Sequence, residues 1–546
     1  MFGNFLKLKK LFTSQSKTIT SAAIILGGAS LVSRLFGIFR DRVLASQFGL
    51  GQELDIYYAA FRLPDFIFNL LILGSLSAGF IPVFTKVLEN KKKAWELVNI
   101  VFNVIILALI FIAAILFIAA PWLVKLITPG FDDVALSQTV KMTQIMFLSL
   151  VFLGISAIFG SVLQSLKSFF IYSIAPILYN VGIIAGALFF VPTLGLYGLA
   201  WGVVLGAFMH MLIQLVAARL LGYRWSCNFN LKNKNLKLIF KLMIPRTLGL
   251  IVSQVNFFVV TIIGSTLAAG SIAVFNLANN IQSFPLGLFA VSFAVAAFPT
   301  LSEQAEHTKK FVQTMSLAIR QILFFVIPSS ALLIVLRAQV VRVILGSGKF
   351  SWSDTLLTLD VLSLFALSLF AQSIILVLAR AYYALQDTKT PLLIGIVSAL
   401  FNILFCLLLI KPFGVSGLAL AFSFSSIINC LLLFAILKIR LGDIDDVVIF
   451  NSTFKILISS FMLAITAQAI KYPMVQIMGL ETFWGIALQM VAASLGGLFI
   501  YFFVGWVMGL EELILFIDSL RKRVFKKPVL PDEVVESESI QPIATA

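Results

Sequence analysis

Residues Ser30–Ala45 read SLVSRLFGIFRDRVLA. They lie inside an apolar segment that begins near Ile19 and is long enough to span a bilayer. The stretch nevertheless carries Arg34, Arg40, Asp41 and Arg42. A charged side chain near a bilayer centre costs at least ~2.5–3.5 kcal/mol, so such residues face a protein interior or a water-filled cavity. For Arg40 to Arg42 an alternative is open, in which they lie at the outer surface and snorkel to headgroups. Arg34 sits roughly two turns deeper, where a functional role is the better reading.

Composition places the whole chain in the same setting. Of 546 residues, 60% are hydrophobic and 12% charged, against about 45–50% and 25% in soluble domains, which indicates an integral membrane protein. Cys227, Cys406 and Cys430 lie far apart without metal-type spacing, and His210 and His307 are isolated. Zinc chemistry and a Ser-His-Asp triad therefore have no visible parts, and no cofactor is expected. His210 reads as a packed or hydrogen-bonded helix residue. The basic N-terminus precedes no short apolar region with a cleavage site, so the first apolar stretch is expected to be a retained helix.

Windows of roughly 19 residues give fourteen candidate transmembrane helices. They cover 19–45, 54–84, 96–120, 136–163, 168–191, 195–220, 238–265, 270–299, 310–336, 355–384, 389–411, 414–437, 450–470 and 482–508. With both termini inside, about 27 of the 40 basic residues fall on the cytoplasmic side and about 7 on the other. Basic loops facing an anionic leaflet account for the net charge of +16 without nucleic acid. The expected organisation is a basic N-terminus (1–18), a six-helix lobe (19–220), a cytoplasmic linker (221–237), a second six-helix lobe (238–440) and two further helices (441–510). An interfacial amphipathic segment and a disordered acidic tail (511–546) complete it.

The two lobes resemble each other in order along the chain. SRLFGI at 33–38 resembles PRTLGL at 245–250, GFIPVF at 79–84 resembles AAFPTL at 296–301, and GLYGLA at 195–200 matches GVSGLA at 414–419. SLKSFF at 165–170 resembles LQDTKTP at 385–391, which sets Asn180 opposite Asn402. The offsets, roughly 212–222 residues, equal six spans, and an even number preserves orientation. The expected fold is therefore all-α, with two lobes related by a pseudo-twofold along the membrane normal. Two bundles around a central cavity form a transporter plan, worked by rocking one lobe against the other.

The run SRLFGIFRDRVLASQFG (33–49), with LDIYYAAFRLPDFI (54–67) and SAGFIPVF (77–84), resembles the amino-terminal signature of the MurJ/MviN family. PGF at 129–131, FPLGLFAVSFAVAAFPTLSE at 284–303, GKFSWSD at 348–354 and ARAYYALQDTKTP at 379–391 continue the resemblance over essentially the whole chain. What it implies is a flippase for lipid II, the undecaprenyl-pyrophosphate-linked disaccharide-pentapeptide, in a bacterial cytoplasmic membrane. The implied fold is that of the multidrug/oligosaccharidyl-lipid/polysaccharide exporter superfamily. The family's cavity arginines of the first span map onto Arg34 and Arg40, and its acidic positions onto Asp41 and Asp55. Aligning on FRLPD and QSFP puts two further family arginines at Phe68 and Asn280, where this chain has no charge. The resemblance also suggests dependence on membrane potential or coupling ions, and a monomer among membrane lipids.

The residues make a physical case beside this. Arginine offers a permanent charge and a planar fork of five donors suited to phosphate oxygens. Arg34 and Asp41, seven apart, share a helix face, whereas Arg40 points elsewhere unless a kink near Gly37 turns it. Arg62 and Asp65 read either as substrate contacts or as a local i,i+3 ion pair. Arg246, the repeat partner of Arg34, either serves the cavity from the second lobe or lies at the cytoplasmic interface. Arg320 reads as structural, and Arg380 and Asp387 as loop anchors. The competing functions are a flippase for another undecaprenyl-linked glycan, a drug or cation antiporter, and a membrane enzyme. An antiporter for cations should line its cavity with carboxylates, and an enzyme needs a catalytic cluster that these short loops do not offer.

Overall fold

The protein is described by a computed structural model that covers residues 19–70, 75–479 and 482–525. The basic N-terminus and the acidic tail expected to be disordered lie outside the described residues. Among the described residues the chain is helical, with no strand.

The N-terminal half contains α1 (Ile19–Phe48), α2 (Gln52–Phe68), α3 (Ser75–Val87), α4 (Lys91–Ile127), α5 (Asp133–Ser165), α6 (Phe169–Leu194) and α7 (Tyr197–Leu220). The C-terminal half contains α8 (Lys234–Gly264), α9 (Ser271–Glu303), α10 (Thr308–Val335), α11 (Arg337–Leu345), α12 (Trp352–Ala366), α13 (Leu369–Ala384) and α14 (Lys389–Leu441). Then follow α15 (Asp446–Met478), α16 (Phe483–Val507) and the amphipathic α17 (Glu511–Phe525). Helix lies over each of the predicted stretches. Among the described residues, nine helices are long and apolar enough to cross a membrane, or ten if α12 and α13, bent by 44°, form one span.

Hydrocarbon cannot satisfy a free backbone group, and several helix starts are capped by side chains. Asn90 accepts from the Lys93 N–H, Asp132 from Ala135, Asn233 from Asn235 and Leu236, and Thr482 from Gly485. Ser351 and Asp354 form a reciprocal capping box at the start of α12.

Between α6 and α7 the backbones meet at Gly186 and Gly202, where a Cβ on either residue would overlap the other's Cα. Small residues permit this approach, which replaces the hydrophobic drive that lipid removes.

The internal repeat has a backbone counterpart. Gly195 (φ 60°, ψ −147°) and Gly414 (φ 54°, ψ −132°) adopt the same conformation, which side chains rarely tolerate, at matching positions of GLYGLA and GVSGLA. π-Helical backbone also occurs in both halves, at 69–70 and at Leu286–Ala290. The two halves meet along α1, α2 and α9, and again where α3 packs on α8 through Phe80, Leu236 and Ile239. Ala45 joins an apolar cluster with Val274, Phe275 and Phe365, and Ala273 joins one with Leu44, Leu54 and Ile56.

Candidate functional site

The charged residues of α1 and α2 lie on a seam between the two halves. α1 is regular helix through Gly37, so the kink that would bring both arginines to one face is absent. Helical spacing then decides the partners. Arg34 and Asp41 both reach α9: Arg34 Nη1 donates to the Ser283 carbonyl at 3.4 Å, and Asn280 Nδ2 donates to Asp41 Oδ2 at 2.9 Å. Arg40 points away from α9 and donates to Asn180 Oδ1 of α6 at 3.2 Å. Its guanidinium also folds back on Asp41 Oδ1, at 3.0 Å from Nε and 2.8 Å from Nη2.

This arrangement separates the two arginines chemically. The Arg40 charge is met by the buried Asp41 carboxylate. Arg34 is half-buried, has no carboxylate within 4 Å among the described residues, and makes one long hydrogen bond. Its guanidinium lies against Gly287 in the π-helical turn of α9, in space a Cβ would need. Of Arg34 and Arg40, Arg34 is thus the one with donors left to give.

Arg62, read either as a substrate contact or as an ion pair with Asp65, makes no ion pair with Asp65 among the described residues. It is 8% exposed and crosses the seam, donating from Nε to Thr261 Oγ1 at 3.1 Å and from Nη2 to Asn276 Oδ1 at 3.2 Å. The Phe257 ring lies 5.1 Å from its Cζ. Neutral oxygens meet Nε and Nη2 and an aromatic ring covers the guanidinium, whereas Asp65 stays half-buried beside Asn69 with no ion pair among the described residues.

Asp55 is fully engaged. At 2% exposure, its carboxylate accepts from the Gly270 N–H at 2.7 Å and the Ala273 N–H at 2.8 Å, capping the N-terminus of α9 from the opposite half. A carboxylate there meets unpaired N–H groups and the positive end of the helix dipole. Around it the Lys349 N–H donates to the Ser46 carbonyl at 2.8 Å, and the Gly130 N–H to Ser265 Oγ at 3.2 Å. One end of the seam is closed by these bonds.

Arg42, for which a headgroup position is one reading, docks on protein. It donates to the Val343 carbonyl at 2.5 Å, with the Phe483 ring 5.1 Å from its Cζ. The side chain of Arg246 lies outside the described residues. Arg320 pairs with Glu511 at 2.9 Å and Glu512 at 2.7 Å, a structural arrangement. Asp387 pairs with Arg440 at 2.9 Å, while Arg380 donates to the Leu376 carbonyl.

Sequence reasoning missed Thr261, Asn276, Ser283 and Gly287 as seam residues. A signal was present. Asn276, Asn279, Asn280, Gln282 and Ser283 crowd polar groups into eight residues of an apolar helix. Asn280, an uncharged residue, holds Asp41 from α9.

Residues 44–488 match the family model described as "Lipid II flippase MurJ". The "Probable lipid II flippase MurJ" of Haemophilus influenzae is 32% identical over 428 residues, covering 74% of this chain and 83% of that one. That of Rhizobium tropici is 30% identical over 437 residues, covering 76% and 80%. A solved structure described as "Lipid II flippase MurJ, inward closed conformation" superposes with a TM-score of 0.73 at 25% identity, covering 91% of this chain and 100% of that chain. An inward-facing multidrug resistance MATE family transporter reaches 0.65 at 15% identity, covering 78% and 99%, a likeness of fold alone.

Proposed function

The chain belongs to the lipid II flippase MurJ family, and from that premise we propose that it carries lipid II from the cytoplasmic to the outer leaflet of a bacterial cytoplasmic membrane. It does so for cell-wall synthesis, by alternating access and without making or breaking covalent bonds. The observation that carries the assignment of roles is the state of Arg34, an interlobe guanidinium with, among the described residues, no carboxylate partner and one 3.4 Å hydrogen bond. A diphosphate can take its donors without first breaking an ion pair. Arg40 and Asp41 form a neutralised pair beside it, which shapes the cavity rather than gripping the substrate.

The seam supplies the second half of the mechanism. Asp55 and Arg62 join the halves at one end through polar bonds to α8 and α9. With both termini cytoplasmic this is the outer end, and its bonds must part for release outward. Fourteen crossings, in two lobes of six related along the membrane normal plus α15 and α16, are supported by the basic-residue asymmetry. The shared backbone of Gly195 and Gly414 also supports them. Asp65 and Arg246 remain candidate cavity residues, and the unit of function is a single chain among membrane lipids.

The test is complementation. In a walled bacterium depleted of its own flippase, this chain should restore growth and lipid II externalisation. Absence of both, with the protein present in the membrane, would sink the reading.

A further inference from the structure

A cavity of about 390 Å3 lies inside the N-terminal half, between α1, α5, α6 and α7. Its wall is mostly apolar, but a polar set is gathered in it: Ser33 and Arg34, Gln164, Tyr172, His210 and Gln214 all line it. At ~30 Å3 per water it would take roughly a dozen waters, and it falls in the ~300–1,000 Å3 range of small-molecule sites.

Two acceptors in the wall lack donors. Gln214 is 1% exposed, and its side-chain oxygen has no hydrogen-bond partner among the described residues. Ser156 Oγ lies 2.6 Å from His210 Nδ1 and 3.1 Å from the His210 carbonyl. A carbonyl only accepts, so both contacts hold together when Ser156 donates to it and Nδ1 carries the ring proton. His210 Nε2 is then a bare acceptor. Buried acceptors are costly until a donor meets them.

Arg34 is shared between this cavity and the interlobe seam. A wall with acceptors inside and a guanidinium at its edge fits a ligand whose anion adjoins a group rich in O–H and N–H donors. We infer that the cavity is a subsite for the neutral sugar next to the diphosphate, its hydroxyl or acetamido donors meeting Gln214 and His210 while Arg34 holds the phosphates. The inference rests on the flippase reading and deepens it. Specificity for saccharide then resides in the N-terminal half, apart from charge capture. A site built to bond donors discriminates strongly against a ligand that lacks them.

The test compares two probes on the purified full chain in detergent: undecaprenyl diphosphate bearing the disaccharide, and bare undecaprenyl diphosphate. The wild type should bind the sugar-bearing lipid at least about tenfold more tightly. Gln214→Met and His210→Phe should remove most of that preference and leave bare-lipid affinity unchanged. Gln164→Met, at a half-buried wall position, replaces Gln214→Met if that variant does not fold. Equal affinities in the wild type, a preference that survives the substitutions, or equal loss for both lipids would overturn the subsite. Binding of neither lipid, with Arg34→Ala without effect, is the distinct outcome that removes the flippase reading and the subsite with it.

Discussion

The guanidinium of Arg34 lies against the backbone of Gly287, two hundred and fifty residues away in sequence, so closely that a Cβ on Gly287 would overlap it. Only a residue without a side chain lets the cation settle there. Gly287→Ala should push the flexible end of Arg34 aside and leave the helix intact. Alanine in a helix is favoured over glycine by roughly 0.5–1 kcal/mol, so thermal stability should hold or rise slightly. Transport should fall several-fold all the same. Unchanged transport with an ordinary melting temperature would show that the position of Arg34 is immaterial.

Asp55 caps α9 from across the seam with both carboxylate oxygens. Asp55→Asn keeps the size but removes the charge and turns half the group into a donor. The closed end should lose about 1–2 kcal/mol, a shift of roughly five- to thirtyfold toward separated halves. Spin labels at Glu53 and Lys349, both exposed at that end, would report it in a Cys227→Ser background. Identical distance distributions in wild type and variant would rule out a gating role.

Helix positions were legible because hydrophobic length and capping are local properties. The recurrence of GLYGLA as GVSGLA even foretold a shared backbone conformation. The seam was not legible, because its partners lie far apart in sequence. For Arg62 the nearest carboxylate by helical spacing is Asp65, yet Thr261 and Asn276 take its donors. Gly37 suggested a kink, but Arg40 needs none, since its long side chain folds back to Asp41 and sideways to Asn180. The neutral amides of α9, inconspicuous among apolar neighbours in the sequence, are the second wall of the site.

Arg320 and Glu512 fasten α17 to α10, with side chains 12% and 1% exposed. Removing one partner of such a pair strands a buried charge, at about 3–5 kcal/mol. Arg320→Met should release α17 and expose Arg521 to trypsin, whereas Arg320→Met with Glu512→Leu should regain much of the protection. Equal cleavage of the single and double variants would show that the ion pair does not hold the helix.

Asp387 sits in the loop between α13 and α14, outside the spans. Slight burial lifts its pKa, but the N–H and hydroxyl of Thr390, the N–H of Lys389 and the Arg440 guanidinium outweigh that and hold it below the usual carboxylate value. A depressed carboxylate contributes stability above its unfolded pKa, about 3.9, and loses it as pH falls through the lower folded value. Asp387→Asn should therefore melt below wild type at pH 7, and the gap should close at pH values under about 4. A gap that persists in acid would assign the effect to packing.

Arg34 and Arg40 should respond oppositely to a second substitution. Arg40→Ala leaves the buried Asp41 carboxylate with only Asn280 to meet it, so part of its defect is a stranded charge. Asp41→Asn in the same chain should restore transport toward wild type. Arg34 has no carboxylate partner among the described residues, and no single removal of an acidic residue should rescue Arg34→Ala. Arg34→Lys keeps the charge but loses the planar fork, and should weaken binding of bare undecaprenyl diphosphate by about 1–2 kcal/mol, roughly five- to thirtyfold. Arg40→Lys should leave that affinity nearly unchanged, because its charge already answers Asp41. Were the two lysine variants to weaken diphosphate binding equally, the arginines would act as one phosphate clamp, and the division of roles drawn from their partners would be wrong.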